Sequence, residues 1–253
     1  MSVTNRYRDA WEGFWRDAPE EPGSVIWDAE PALTAERHLA LFRPHLADDR
    51  LPLVDLGCGN GTQTRFLADR FPHVLGVDLS AAAVDLARRG DGARRGDGAR
   101  RAGFAQLDAT DPAAVRELHE RLGDANVYVR GVIHQSEPAD RGPVAEAVAV
   151  LLGGRGRGFV VELAEAAKGV LARLAQNPAG PPPKLRPVLS HGLAPAEVAD
   201  EAFTDILRAA GLGVLASGDM PLLTTEFTPD GTRIELPAHW VVVGADGRRP
   251  GPS

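Results

Sequence analysis

The hydrophobic pattern of this chain changes period repeatedly. Leu51 to Leu56 is an apolar run too short for a helix and is ended by glycines, so it predicts a buried strand. His73 to Val77 and the run around Phe104 to Leu107 repeat the form, and the three runs bring Asp55, Asp78 and Asp108 to turns. Between and after them, helical spacing predicts helices near 62–70, 80–89, 112–122, 143–152, 163–176 and 195–210. Asn126 to Ile133 and Gly158 to Leu163 supply strands four and five. This alternation implies right-handed crossovers and a parallel sheet. The closing pair, Gly213 to Ser217 and His239 to Gly244, has no helical period between its members. Residues 218–238 therefore read as loop, and the pair predicts an antiparallel hairpin at the sheet edge.

The turn after the first strand carries the chemistry. Gly57, Gly59 and Gly61 let the backbone turn sharply and approach a ligand without Cβ obstruction, while a helix starting near Thr62 aims N–H groups back at it. Asp78, at the end of the second strand, reaches the same rim, where a carboxylate accepts hydrogen bonds from ribose hydroxyls. Turn-forming glycines explain any one of these motifs but not their order. Asp55-Leu56-Gly57-Cys58-Gly59-Asn60-Gly61 resembles the first motif of class I methyltransferases, which bind S-adenosylmethionine (SAM). The resemblance spans residues 50–244. It implies a Rossmann-like α/β fold with a seven-stranded, mostly parallel sheet, an antiparallel final hairpin and helices on both faces. It also implies that Asp55 and the backbone of Gly57 and Gly59 hold the methionine end, that Asp78 with Leu79 holds the ribose, and that Asp108 with Ala109 meets the adenine edge. A dinucleotide-binding dehydrogenase fits poorly. The third glycine of its Gly-x-Gly-x-x-Gly turn is missing, Asp55 would repel a pyrophosphate, and Asp108 would have no purpose.

Composition adds boundaries. With 253 residues, 43% of them hydrophobic, the chain can bury one good-sized core. The expected division is an N-terminal helical cap or lid at 1–48, a SAM-binding catalytic domain at 49–246 and a disordered tail at 247–253. The single cysteine, Cys58, excludes an intrachain disulfide, and nothing beside it suggests a nucleophile or a metal site. No stretch reaches the length of a membrane span and the N-terminus has no signal-peptide core, so a soluble cytoplasmic protein, monomer or homodimer, is expected. The net charge of −7 argues against a nucleic-acid substrate. Gly90-Asp91-Gly92-Ala93-Arg94-Arg95 is repeated at once as Gly96-Asp97-Gly98-Ala99-Arg100-Arg101; it has no apolar face and reads as a mobile surface insertion. Pro178 to Pro187 reads as loop.

Val127-Tyr128-Val129-Arg130-Gly131-Val132-Ile133-His134 resembles the segment of small-molecule O-methyltransferases in which a strand ends in Leu-His-Asp-Trp and the histidine is the general base. That resemblance implies a base at His134 and places Arg130 along the cofactor. Gln135-Ser136 replaces the family's Asp-Trp, so the ring lacks that orienting partner, and a structural or substrate-contacting role stays open beside the catalytic one. Tyr7, Trp11, Phe14 and Trp15 fall at helical spacing, and Trp27 follows a Pro-rich bend. Trp15 and Trp27 are the substrate-pocket candidates, with ordinary packing as the alternative. The implied function is methyl transfer to oxygen or nitrogen of a small natural product or metabolite. Two rivals remain: a cyclase or lyase that converts SAM itself to azetidine-2-carboxylate and methylthioadenosine, and a SAM-binding protein without turnover.

Overall fold

Short apolar runs bounded by glycine become the central strands. The computed structural model describes residues 3–92, 101–178, 180–193 and 200–246. Its strands are β1 (Leu53–Leu56), β2 (Val74–Asp78), β3 (Gly103–Gln106), β4 (Asn126–Arg130), β5 (Arg157–Leu163), β6 (Leu212–Phe227) and β7 (Arg233–Ala245). They pair in the order β3-β2-β1-β4-β5-β7-β6. Pairing is parallel from β3 through β5, and β7 is antiparallel to both of its neighbours, so β7 alone runs against the other strands. The helices are α1 (Val3–Asp17), α2 (Ala35–Phe42), α3 (Thr62–Ala68), α4 (Ala81–Gly92), α5 (Pro112–Leu122), α6 (Arg141–Leu152), α7 (Ala167–Ala175), α8 (Arg186–Ser190) and α9 (Asp200–Ala209). Among the described residues, no helix is long and apolar enough to cross a membrane.

Strand periodicity sorts side chains to two faces. Val54, Leu56, Val127, Val129 and Val160 pack against Leu118 of α5, Leu151 of α6 and Leu207 of α9. Leu53, Tyr128, Phe159 and Val161 point the other way, onto Leu39 and Phe42 of α2 and Leu67 of α3. Burying each such side chain contributes about 1.5–3 kcal/mol. His38 of α2 joins this second core, stacked at 5.2 Å on Phe159 with Nδ1 2.6 Å from the Tyr128 hydroxyl. Burial pushes its pKa down to about 3, so it is a neutral core residue. The 1–48 segment is thus divided: α2 belongs to the core under the sheet, while α1 packs through Phe14 and Trp15 on Ala83 and Leu86 of α4 and on α8.

Strand order reverses between β1 and β4, which opens a crevice at their carboxyl ends. The glycine loop and the turn after Arg130 both emerge there.

Several expectations need correction. β4 ends at Arg130, three residues early, because Gly131 takes a positive φ of 72° that a strand does not tolerate. The helix expected at 80–89 continues through the first Gly-Asp-Gly of the repeat to Gly92; the remainder, 93–100, lies outside the described residues, as does the tail from 247. The expected 195–210 helix is described only as α9, since 194–199 also lie outside. A short helix, α8, starts inside the Pro-rich stretch at Arg186, with Pro187 in its first turn. The hairpin is much longer than expected, since most of 218–238 is strand and the turn is only 228–232. Pro221 and Pro237 face each other where the β5–β7 pairing has ended and two strands continue alone. Prolines are tolerated there because one edge of each strand needs no donor.

Candidate active site

Asp78 organises the glycine loop. Its Oδ2 accepts the Gly59 N–H at 2.9 Å and its Oδ1 the Ser80 N–H at 2.9 Å. Burial pushes its pKa up to about 6. The N–H groups of Gly57 and Cys58 donate to Val77 O, so the loop is tied back to β2 at three points. Gly59 has a φ of 53°, and a Cβ on it would come 2.7 Å from the Trp15 ring, so only glycine fits.

Above the loop lies a cavity of about 450 Å³. Aromatic side chains roof it: Trp27 sits 5.6 Å from Trp11 and 6.2 Å from Trp15, ring centre to ring centre. Tyr7 adds a further ring beside Trp11 and its hydroxyl is held well above the usual range by burial. Helix α1 is fixed over the rim by two acid contacts. Arg8 pairs with Asp108, and Glu12 accepts the Ser80 hydroxyl at 2.7 Å and the Ala82 N–H at 3.2 Å, capping α4 from outside. Asp108 also accepts the N–H and hydroxyl of Thr110. Farther from the loop the wall is aliphatic, built by Leu171 of α7, Leu185, Val188 of α8, and Leu222 and Leu236 of the hairpin.

His134 stands at the wall in the turn after β4, buried, and its Nδ1 meets the carboxylate of Glu162 in a short contact. Glu162, at the end of β5, also accepts the N–H groups of Val132, Ile133 and His134, each at 3.0 Å. The anion thereby shapes the turn and orients the ring. Nδ1 is accordingly assigned the proton and Nε2 the lone pair, which faces the Gln135 amide nitrogen at 3.1 Å.

Residues 53–156 match the family model for a methyltransferase domain. Along 97% of this chain and 96% of its own, a SAM-dependent methyltransferase from Anabaena variabilis ATCC 29413 superposes with a TM-score of 0.84 at 28% identity. By these matches residues 53–156 are a methyltransferase domain, carried on the fold of the SAM-dependent methyltransferases. Its fold is shared with a protein from a study of disulfide-to-thioacetal conversion in echinomycin biosynthesis (TM-score 0.67, 20% identity, 98% and 94% of the two chains). The magnesium protoporphyrin IX methyltransferase of Synechocystis PCC 6803, seen with bound S-adenosylhomocysteine (SAH), is more distant (TM-score 0.53, 16% identity, 85% and 82%). A search of curated proteins gave no match.

The methyltransferase cavity is lined by Gly57, Gly59, Asp78, Leu79, Asp108, Ala109, Arg130, His134, Trp15 and Trp27, so ten sequence candidates meet in one place. Asp55 does not reach the wall. It is buried beneath the loop, accepts the Thr64 hydroxyl at 2.6 Å and has its pKa raised by burial to about 6. The N–H groups of Gly57 and Gly59 are also engaged, with Val77 and Asp78. Arg130 lines the cavity and donates from Nη1 to Trp27 O at 3.0 Å. His191 packs at Gly13 and pairs with Asp17 outside the cavity wall. Sequence reasoning missed Glu162, Asp28 and Arg8. Glu162 left a signal, a lone acid ending the apolar run Phe159-Val160-Val161.

The residues present fit SAM. The open loop, the carboxylates of Asp78 and Asp108 on one rim, and aromatic faces opposite suit a ribose, an adenine and a sulfonium.

Proposed function

We propose that the protein transfers the methyl group of SAM to an oxygen or nitrogen of a small-molecule acceptor, with His134 as general base. Glu162 carries this reading. It supplies the orienting carboxylate that the missing Asp-Trp left in doubt, and it does so from another strand. Bound SAM supplies a methyl group activated by positive sulfur. The chain does the rest.

Asp78 accepts the ribose hydroxyls beside Leu79, and Asp108 with Ala109 faces the adenine edge. Trp11, Trp15 and Trp27 present π faces to the sulfonium and wall the acceptor. Helix α1 acts as the lid, latched by Arg8 and Glu12. As the acceptor atom attacks in line with sulfur, its proton passes to His134 Nε2, while Nδ1–H stays on Glu162 and the carboxylate stabilises the imidazolium. Gln135 must turn aside to admit the acceptor. Its buried Oε1 has no hydrogen-bond partner among the described residues, so only the amide nitrogen holds it in place. A cavity of this size and the net charge of −7 favour a metabolite over nucleic acid. A cytoplasmic monomer or homodimer suits such a substrate.

The test is mass spectrometry of protein incubated with SAM and a panel of hydroxylated and amino compounds. SAH formed only with an acceptor, and reduced roughly 100-fold or more by His134→Ala, is the expected result. Methylthioadenosine formed from SAM alone would make SAM the substrate and overturn the proposal.

A further inference from the structure

The methionine end of SAM carries an ammonium and a carboxylate, and the groups expected to meet them are already engaged. Asp55 lies buried under the loop, off the cavity wall, with Oδ2 on the Thr64 hydroxyl; the Gly57 N–H donates to Val77 and the Gly59 N–H donates to Asp78. Two other charged groups face the same part of the cavity. Asp28 is buried, lines the wall and is fixed against the glycine loop, where its Oδ2 accepts the Asn60 side-chain amide at 2.8 Å and the Gly23 N–H at 2.9 Å. Both bonds fall on Oδ2, and Oδ1 accepts none from the described residues. Arg130 enters from the end of β4, with one guanidinium nitrogen held by the carbonyl of Trp27, the residue before Asp28. No ion pair joins Asp28 to Arg130, although both border one loop.

We propose that Asp28 and Arg130 form a clamp for the amino-acid end of SAM, Asp28 Oδ1 accepting from the ammonium and Arg130 donating to the carboxylate. The proposal rests on SAM as the ligand of the cavity. With Oδ2 pinned by two N–H donors, Asp28 keeps Oδ1 available to an ammonium, and a guanidinium presents parallel donors suited to a carboxylate. The backbone link through Trp27 fixes the spacing of the two ends. The clamp also makes the site selective for ligands that keep the whole amino-acid arm, which plain nucleosides lack.

The experiment is calorimetric binding to the ligand-free full chain. The ligands are SAH, methylthioadenosine, deaminated SAH and decarboxylated SAH. Asp28→Asn and Arg130→Gln should each weaken SAH roughly 10- to 100-fold while leaving methylthioadenosine, which has no amino-acid arm, within twofold of wild type. Methylthioadenosine binding also shows that each variant keeps its pocket. The wild type should discriminate against deaminated SAH, and Asp28→Asn should not; Arg130→Gln should lose discrimination against decarboxylated SAH. Equal losses for SAH and methylthioadenosine, SAH affinity within threefold of wild type, or the two discriminations exchanged would overturn the clamp. A wild type that binds SAH but shows none of these effects refutes the clamp alone, whereas one that binds neither SAH nor methylthioadenosine refutes the ligand reading beneath it.

Discussion

Glu162 holds His134 twice, accepting its backbone N–H at 3.0 Å and meeting its ring at Nδ1. One buried anion therefore sets both the path of the turn and the tautomer of the ring. Glu162→Gln keeps an acceptor for the turn but removes the charge that stabilises an imidazolium. We expect methyl transfer to fall on the order of 100-fold in kcat with the KM for SAM within about threefold. Steady-state kinetics with an identified acceptor checks this; an equal loss of SAM affinity would reduce Glu162 to scaffolding.

Asp78 predicts a conflict between stability and binding. Its folded pKa is raised above the unfolded value of 3.8 to about 6, chiefly by burial. As pH rises from 4 to 6 the unfolded chain releases this proton first, so the ligand-free protein loses stability across that window and does not regain it above. Since the carboxylate faces a cavity, about 1–3 kcal/mol is expected at pH 7. Asp78→Asn keeps an acceptor for only one of the Gly59 and Ser80 N–H groups, so it should flatten the pH dependence of ligand-free stability between pH 4 and 6 in urea denaturation and weaken SAM roughly 100-fold or more. Wild-type affinity for SAM should decline as pH falls through 6, because a protonated carboxyl accepts poorly from the ribose.

His38 works with the opposite sign. Its pKa lies near 3 in the fold against 6.5 unfolded, so protonation favours the unfolded chain between those values. Each pH unit below 6.5 removes about 1.4 kcal/mol through this residue until the folded pKa is reached. His38→Gln should be less stable than wild type at pH 7, through lost stacking on Phe159, but should show a shallower decline between pH 6.5 and 4. Urea midpoints across that range provide the comparison; parallel curves would contradict the assignment.

Gly59 and Trp15 should behave as one unit. Gly59→Ala places a methyl group 2.7 Å from the indole at a positive φ, so we expect about 1–3 kcal/mol of destabilisation and loss of SAM binding. In Gly59→Ala/Trp15→Ala the clash is gone and only the backbone strain and the lost packing remain. The double variant should therefore be more stable than the sum of the singles implies, as a thermodynamic cycle by urea denaturation would show.

The central strands were legible because their burial on both faces imprints apolar runs, as in Val127 to Val129 and in Leu53 to Leu56, which only Asp55 interrupts. The closing hairpin was legible as an antiparallel pair at the sheet edge, but its length was not. β6 lies at the sheet edge with alternate residues exposed, and its Gly218 and Pro221 mimic loop composition.

The site divides in the same way. Asp78, Asp108 and the glycines announced themselves through position at strand ends, where backbone geometry alone determines what can approach. Asp55 had the same signature, yet Thr64 one helical turn into α3 takes its carboxylate underground. Glu162, Asp28 and Arg8 come from segments distant in sequence and acquire meaning only when the fold brings them to His134, Asn60 and Asp108. The sequence by itself determined the parallel sheet, the positions of its central strands along the chain and the glycine cradle, because these follow from local periodicity and turn chemistry. Tertiary structure alone decided which carboxylates face the cavity and which partner the base has, because side-chain charge pairs across different strands leave no local pattern to read.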